Sequence, residues 1–269
     1  MLYNTYEPSD DLRDFIKLYW TLQDEAHPDP DIQRIIPDGC MEMIFHYGDH
    51  FKQMLGEGNS IVQPKCFVFG QITKTLEIAP TGVTDIFSVR FHPGGFIPFS
   101  SYQIKEMENK AVPLNQLFGD EGVLLETTML QITDIGEKIQ KVEEFLLDRL
   151  SRPETLDMVT KRSLALILEM NGQLSVDDLS DQLIINRRNL ERKFSDKIGL
   201  SPKELSRMIR IQSVLSSLIS NNYENLTDIA YEFNYFDQAH FIRDFKDFTG
   251  LTPKKFFSNN LKMSSLFIE

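Results

Sequence analysis

The chain has 269 residues, 41% of them hydrophobic, with two cysteines and a formal net charge of −12. That is enough apolar material for two domains with their own cores. It has no run of 18 apolar residues to span a bilayer, no basic-then-apolar leader at its N-terminus, and too few cysteines for a disulfide framework or a metal cluster, so a soluble cytoplasmic protein is expected.

In residues 1–25, the stretch from Asp10 to Trp20 reads as a short helix running into a strand. Pro28, Pro30 and Pro37 interrupt regular structure before Asp38-Gly39, a turn signal. Residues 40–47 are strongly apolar with Glu42 and His46 embedded, and read as a strand that Gly48-Asp49 ends. Further strands are expected at 66–72, 76–78 and 86–91, rich in β-branched and aromatic residues; Pro93-Gly94-Gly95 closes the last. Several short strands with turns between them predict a β-barrel or sandwich. Beyond Pro98 the period turns helical, at 114–118, at 124–130, and through Ile135, Ile139, Val142, Phe145, Leu146 and Leu150. Ser151-Arg152-Pro153 breaks that pattern. It sets the expected boundary between a β-rich domain over 1–153, helical from about 98 to 150, and a second domain over 154–262 opened by a helix at 158–169.

The second domain contains one device written twice. Asn186, Leu190, Phe194, Gly199, Leu200, Ser201 and Pro202 recur 51 residues later as Asp237, Phe241, Phe245, Gly250, Leu251, Thr252 and Pro253. Each copy has a capping residue, two large apolar residues four apart, a glycine for the left-handed position that ends a helix, and Ser/Thr-Pro to open the next. Arg192 and Arg243 also correspond and lie off the apolar face. Ahead of the first copy, Ser175-Val176-Asp177-Asp178 reads as a capping box opening a short helix; ahead of the second, Asn225 caps a helix carrying Leu226, Ile229, Ala230 and Phe233. Two short helices joined by a tight turn make a helix-turn-helix, here at about 175–199 and 225–250, with a connecting helix at about 202–219. The fold class expected is therefore α+β: a β-rich barrel- or sandwich-like domain with flanking helices, then an all-α domain of two helix-turn-helix units joined by a long helix.

These motifs, above all Asp237-Gln238-Ala239-His240-Phe241-Ile242-Arg243-Asp244-Phe245-Lys246 followed by Gly250-Leu251-Thr252-Pro253, resemble the signature of AraC/XylS-type transcription regulators over roughly residues 158–258. The resemblance implies that the second helix of each unit enters a successive major-groove segment on one face of DNA. It supports Arg188, Glu191, Arg192, Gln238 and Arg243 as base readers. Arginine forks onto guanine and glutamate accepts from cytosine, which suits that role. By position on the same faces, Arg187 and His240 join them, and Lys246 lies nearer the phosphates. The chain departs from the family at Ile184, where a small or polar turn residue is frequent, and at Ser180, Ala239 and Phe257. Double-stranded DNA is the partner implied first; RNA polymerase, a small-molecule effector and a second copy of the chain follow.

Charge divides along the same boundary. Residues 1–159 carry 13 Lys/Arg against 26 Asp/Glu, whereas 160–262 carry 15 against 13. Affinity for DNA follows local phosphate neutralisation rather than whole-chain charge, and Arg187, Arg188, Arg192 and Lys193 fall within seven residues. The N-terminal half resembles, less specifically, a cupin-like sensor domain, through Pro37-Asp38-Gly39-Cys40 and the run from Arg90 to Phe96. It lacks the paired histidines and glutamate of metal-binding cupins, so no metal or cofactor is expected. Glu42, His46, Arg90 and His92 are the candidate ligand-binding residues, against a reading of Glu42, His46 and His92 as satisfied polar groups on the barrel wall. Cys40 and Cys66 read as buried small residues. No catalytic motif is present, and no enzyme activity is expected. The alternative is a DNA-binding regulator whose N-terminal domain only dimerises or binds a protein partner, an idea that the apolar 135–150 helix fits.

Overall fold

The computed structural model describes residues 1–150, 157–220 and 226–258. The expected boundary at 151–153, the Asn225 cap and the Phe257 side chain lie outside the described residues.

The N-terminal part is two antiparallel sheets. The first has the order β1 (Leu2–Tyr6), β2 (Ile16–Asp24), β9 (Thr84–Phe91), β4 (Glu42–His46), β7 (Cys66–Phe69), β10 (Ala111–Pro113). The second has the order β3 (Gln33–Ile35), β8 (Leu76–Pro80), β5 (Phe51–Gly56), β6 (Asn59–Val62). Residues 10–15 form turns rather than the short helix expected there. Leu12 accepts from the amides of Phe15 and Ile16, and β2 starts at once. The hairpin of β5 and β6 was not expected either; Glu57 and Gly58, at φ 52° and 79°, make the mirror-image turn that strand twist favours.

Alternation gives the six-stranded sheet two different faces. Tyr19, Met43, Phe45, Phe87, Val89 and Phe91 are fully or almost fully buried in the large core shared with the helices α1 (Leu114–Phe118), α2 (Asp120–Met129) and α3 (Ile135–Leu150). The intervening residues, Trp20, Glu42, Ile44, His46, Ile86 and Arg90, face the space enclosed with the smaller sheet. The stripe on α3 packs inward, with Val142 and Leu146 fully buried and Ile139 and Phe145 against the core.

The described residues of the C-terminal part form helices and the turns between them: α4 (Met158–Glu169), α5 (Val176–Gln182), α6 (Arg187–Ile198), α7 (Pro202–Ser220), α8 (Leu226–Glu232), α9 (Gln238–Thr249) and α10 (Pro253–Ser258). The apolar faces set by the doubled spacing are the buried ones: Leu190, Phe194 and Ile198 on α6, and Phe241, Phe245 and Phe248 on α9. At 19 residues, α7 spans about 28 Å.

Candidate functional site

Each of α5, α6 and α9 starts at a side-chain cap. Ser175 and Asp178 form a reciprocal capping box on α5, Asn186 accepts from the amide of Arg188 at 2.9 Å, and Asp237 accepts from that of His240 at 2.7 Å. Gly199 and Gly250, at φ 80° and 71°, end α6 and α9. The turns between paired helices hinge on left-handed residues, Ile184 at φ 51° and Asn234 at φ 57°. These two are 50 apart, as are the starts of α5 and α8, whereas α6 and α9 start 51 apart. The second turn therefore holds one residue more, Tyr235 and Phe236 standing where the first has Ile185 alone; Phe236 is 87% exposed.

The outer faces of α6 and α9 carry the expected polar residues, but not all with free charge. Arg187 lies 3.0 Å from both Asp177 and Glu191, so Arg187 and Glu191 largely neutralise one another. Lys193 lies 3.1 Å from Asp157 at the start of α4. Arg188, Arg192, Arg243 and Lys246 are exposed and form no ion pair among the described residues. Gln238 accepts from the hydroxyl of Thr227 at 3.3 Å, and the His240 ring stands edge-on to Tyr235 at 5.3 Å.

Sequence reasoning missed what holds α9 in place. Asp244 is buried and accepts from Arg207 of α7 at 2.7 Å and from the Tyr235 hydroxyl at 3.3 Å. Only the polarity of Asp244 among buried phenylalanines marked it. Burial first, and the Asp244 carboxylate second, push the Tyr235 hydroxyl well above its ordinary pKa. The N-terminal part also grips this assembly. Gln212 of α7 donates to the Pro37 carbonyl at 2.9 Å, and Thr75 donates to the Phe248 carbonyl at 2.8 Å. A Cβ on Gly39, at φ 79°, would come within 2.8 Å of Leu205 on α7.

Between the two sheets lies a cavity of about 70 Å³, and three of the four candidate ligand-binding residues, Glu42, His46 and Arg90, line it. Glu42 and Arg90 are brought together because they are direct partners across β4 and β9. Arg90 is ion-paired with both Glu42 and Asp38, and the second Glu42 oxygen accepts from Trp20 and Ser88 at 3.1 Å. Burial raises the Glu42 pKa, with Arg90 opposing it, while Arg90 is held charged by Asp38 and Glu42 against its burial. His46 is 1% exposed, and neither ring nitrogen reaches hydrogen-bonding geometry with a partner among the described residues, although the Gln63 side chain stands close to the ring. Burial, aided by His50 and Lys65, pushes its pKa down to about 4, with the Gln63 side chain working the other way. His92 does not line the cavity; its charged neighbours are Lys17 and Asp14. Cys40 and Cys66 are buried free thiols, Cys40 pushed up to about 12 chiefly by burial. No helix among the described residues is long and apolar enough to cross a membrane.

Comparison with known proteins gives two family matches: a domain of unknown function (DUF6597) over residues 4–113, and a helix-turn-helix domain over 179–259. An uncharacterized HTH-type transcriptional regulator of Haemophilus influenzae is 27% identical over 93 residues, 35% of this chain and 31% of its own length. One from Staphylococcus aureus is 30% identical over 89 residues, 33% of this chain and 12% of its own. The chain thus spans about a third or less of the relatives it matches. Among solved structures, ToxT from Vibrio cholerae aligns over 96% of this chain and 98% of its own at 13% identity and a TM-score of 0.47. The C-terminal domain of AraT, a response regulator from Geobacillus stearothermophilus, aligns over 38% of this chain and 84% of its own at 22% identity and a TM-score of 0.35.

Proposed function

We propose that the chain, whose residues 179–259 match a helix-turn-helix domain, is a sequence-specific transcription regulator of the AraC type that reads two successive major-groove segments of duplex DNA with α6 and α9. The observation that carries this reading is the pair of capped, outward-facing helices that each present an arginine, Arg192 and Arg243, at equivalent positions and without an ion pair among the described residues. Arg188 shares the α6 face, with Gln238 and His240 at the start of α9 and Lys246 toward the phosphates. Arg187 and Glu191 contribute once DNA competes for their mutual pairing. The regulator works in the cytoplasm, with a first domain ending near 153 that senses a small effector in the cavity lined by Glu42, His46 and Arg90. The inward packing of α3 supports sensing over dimerisation as the main role of that domain. RNA polymerase and a second copy of the chain are the further partners of this reading.

The test is a salt titration of binding to duplex DNA. Lys246→Ala should lower the log–log salt slope by about 1, as loss of a phosphate contact does, whereas Arg188→Ala should relax sequence choice at one base position. A variant carrying both Arg192→Ala and Arg243→Ala that binds like the parent would sink the assignment of α6 and α9 as readers.

A further inference from the structure

The cavity between the sheets has a polar wall in which Asp38, Glu42 and Arg90 are engaged with one another, with His46 and the neighbouring Gln63 beside them. Both terminal nitrogens of Arg90 point to carboxylates, Asp38 on one side and Glu42 on the other. The other Asp38 oxygen accepts from the Cys40 amide at 2.8 Å, and the other Glu42 oxygen from Trp20 and Ser88. The remaining lining is mostly aliphatic or aromatic, including Ile35, Ile36, Ile44, Phe51, Leu76 and Ile78. Of the buried side-chain polar atoms that lack a hydrogen-bond partner among the described residues, only the two ring nitrogens of His46 line this cavity. An unmet donor and an unmet acceptor on one neutral imidazole, facing apolar space, are costly unless something else meets them.

Resting on the effector reading above, we propose that this cavity binds an uncharged, largely apolar molecule carrying a hydroxyl or carbonyl group, which hydrogen-bonds His46. The charge pattern selects against acids. A ligand carboxylate would meet an arginine whose two terminal nitrogens are already taken, and would add a third negative charge beside Asp38 and Glu42 in a low-dielectric space. An ammonium would meet Arg90 itself, with no carboxylate left outside that network to receive it. A hydroxyl, by contrast, matches the single donor and single acceptor of the imidazole. At about 70 Å³ the cavity is smaller than the roughly 150 Å³ that holds benzene. A ring-sized occupant therefore displaces part of the wall. Ile36, Asp38 and Cys40 belong to that wall, and the loop they form is the one that meets α7 through Pro37 and Gly39.

Trp20 is the chain's only tryptophan and lines the cavity, so its emission reports occupancy directly. The full chain is titrated with phenol, benzoate, benzylammonium and toluene. Phenol is expected to change Trp20 emission saturably, with an affinity at least about tenfold above benzoate and benzylammonium, the worth of one good hydrogen bond. His46→Phe, which keeps an aromatic ring against Phe51 and Phe67, should weaken phenol by about tenfold and leave toluene unchanged; the toluene response also verifies that the variant is folded. Tighter binding of benzoate or benzylammonium than phenol would overturn the ligand class while leaving a sensing cavity in place. Phenol binding that His46→Phe does not touch would overturn the role of His46. No saturable response to any of the four, toluene included, would overturn the cavity as a ligand site, and the DNA-reading assignment would stand apart from that result.

Discussion

Ile184 is poorly suited to the place it holds among the described residues. It is β-branched, held at φ 51°, and 95% exposed, so no packing compensates its strained backbone. Ile184→Gly should raise stability by about 1 kcal/mol, read as a higher urea midpoint at unchanged slope; an unchanged or lower midpoint would mean the strain is absent. The misfit was legible in the sequence as a departure from the family, but its left-handed conformation was not, since the equivalent Asn234 sits 50 residues on, not 51. His46 makes a second prediction at this scale. Unfolded, it takes up a proton near pH 6.5, and folded only near 4, so the unfolded chain binds more protons in that window. Its contribution is intact above pH 6.5 and lost as pH falls toward 4, a change of about 3 kcal/mol. Denaturation of His46→Phe between pH 7 and 4 should therefore show a shallower acid limb than the parent. For the DNA face, Arg192→Ala and Arg243→Ala should each cost about 1–3 kcal/mol of specific binding and relax one base position.

At the scale of elements, the two helix-turn-helix units were legible because caps, periodicity and terminal glycines are local signals, and each was repeated. What fixes α9 against α7 was not, because Arg207 and Asp244 lie 37 residues apart and only the packed helices bring them together. Removing the buried carboxylate leaves Arg207 and the Tyr235 hydroxyl short of a partner, so Asp244→Ala should destabilise the chain by about 2–3 kcal/mol. Circular dichroism melts would check this, together with a DNA-affinity loss larger than that of Arg187→Ala, whose charge is already matched by Asp177 and Glu191. The strands were half legible: β4, β7, β8 and β9 are hydrophobic enough to announce themselves. In the β5–β6 hairpin all of β6 is exposed and the buried face of β5 is only Phe51 and the polar Gln53, so its clearest signal is Gly56-Glu57-Gly58. The Glu42–Arg90 pairing depends on strand register, which spacing alone does not give.

Among the described residues the acidic half and the helical half share one buried apolar cluster, in which Ile97 and Ile104 meet Leu164 and Ile198, and hydrogen-bonded contacts join them as well. One is the loop at 36–40, which faces the cavity with Asp38 and Cys40 and faces α7 with the Pro37 carbonyl and Gly39. Thr75 makes another, at the C-terminal end of α9. Gln212→Ala removes one hydrogen bond of this joint; it should cost about 1 kcal/mol of stability and weaken any effect of cavity occupancy on DNA affinity, measured as the ratio of affinities with and without phenol. An undiminished ratio would place the relay elsewhere. Nothing in the sequence signalled this joint, because each contact pairs residues far apart in the chain.

The central claim, two helices reading two groove segments, is tested most directly by selecting binding sites for the full-length chain from random duplex DNA across a salt series. The account predicts enrichment of two sequence blocks whose centres lie about 10 base pairs, one helical turn, apart, each block losing information when the arginine of its own helix, Arg192 or Arg243, is replaced by alanine. Enrichment of a single contiguous block indifferent to one of those arginines, or no enrichment at any salt concentration, would contradict it.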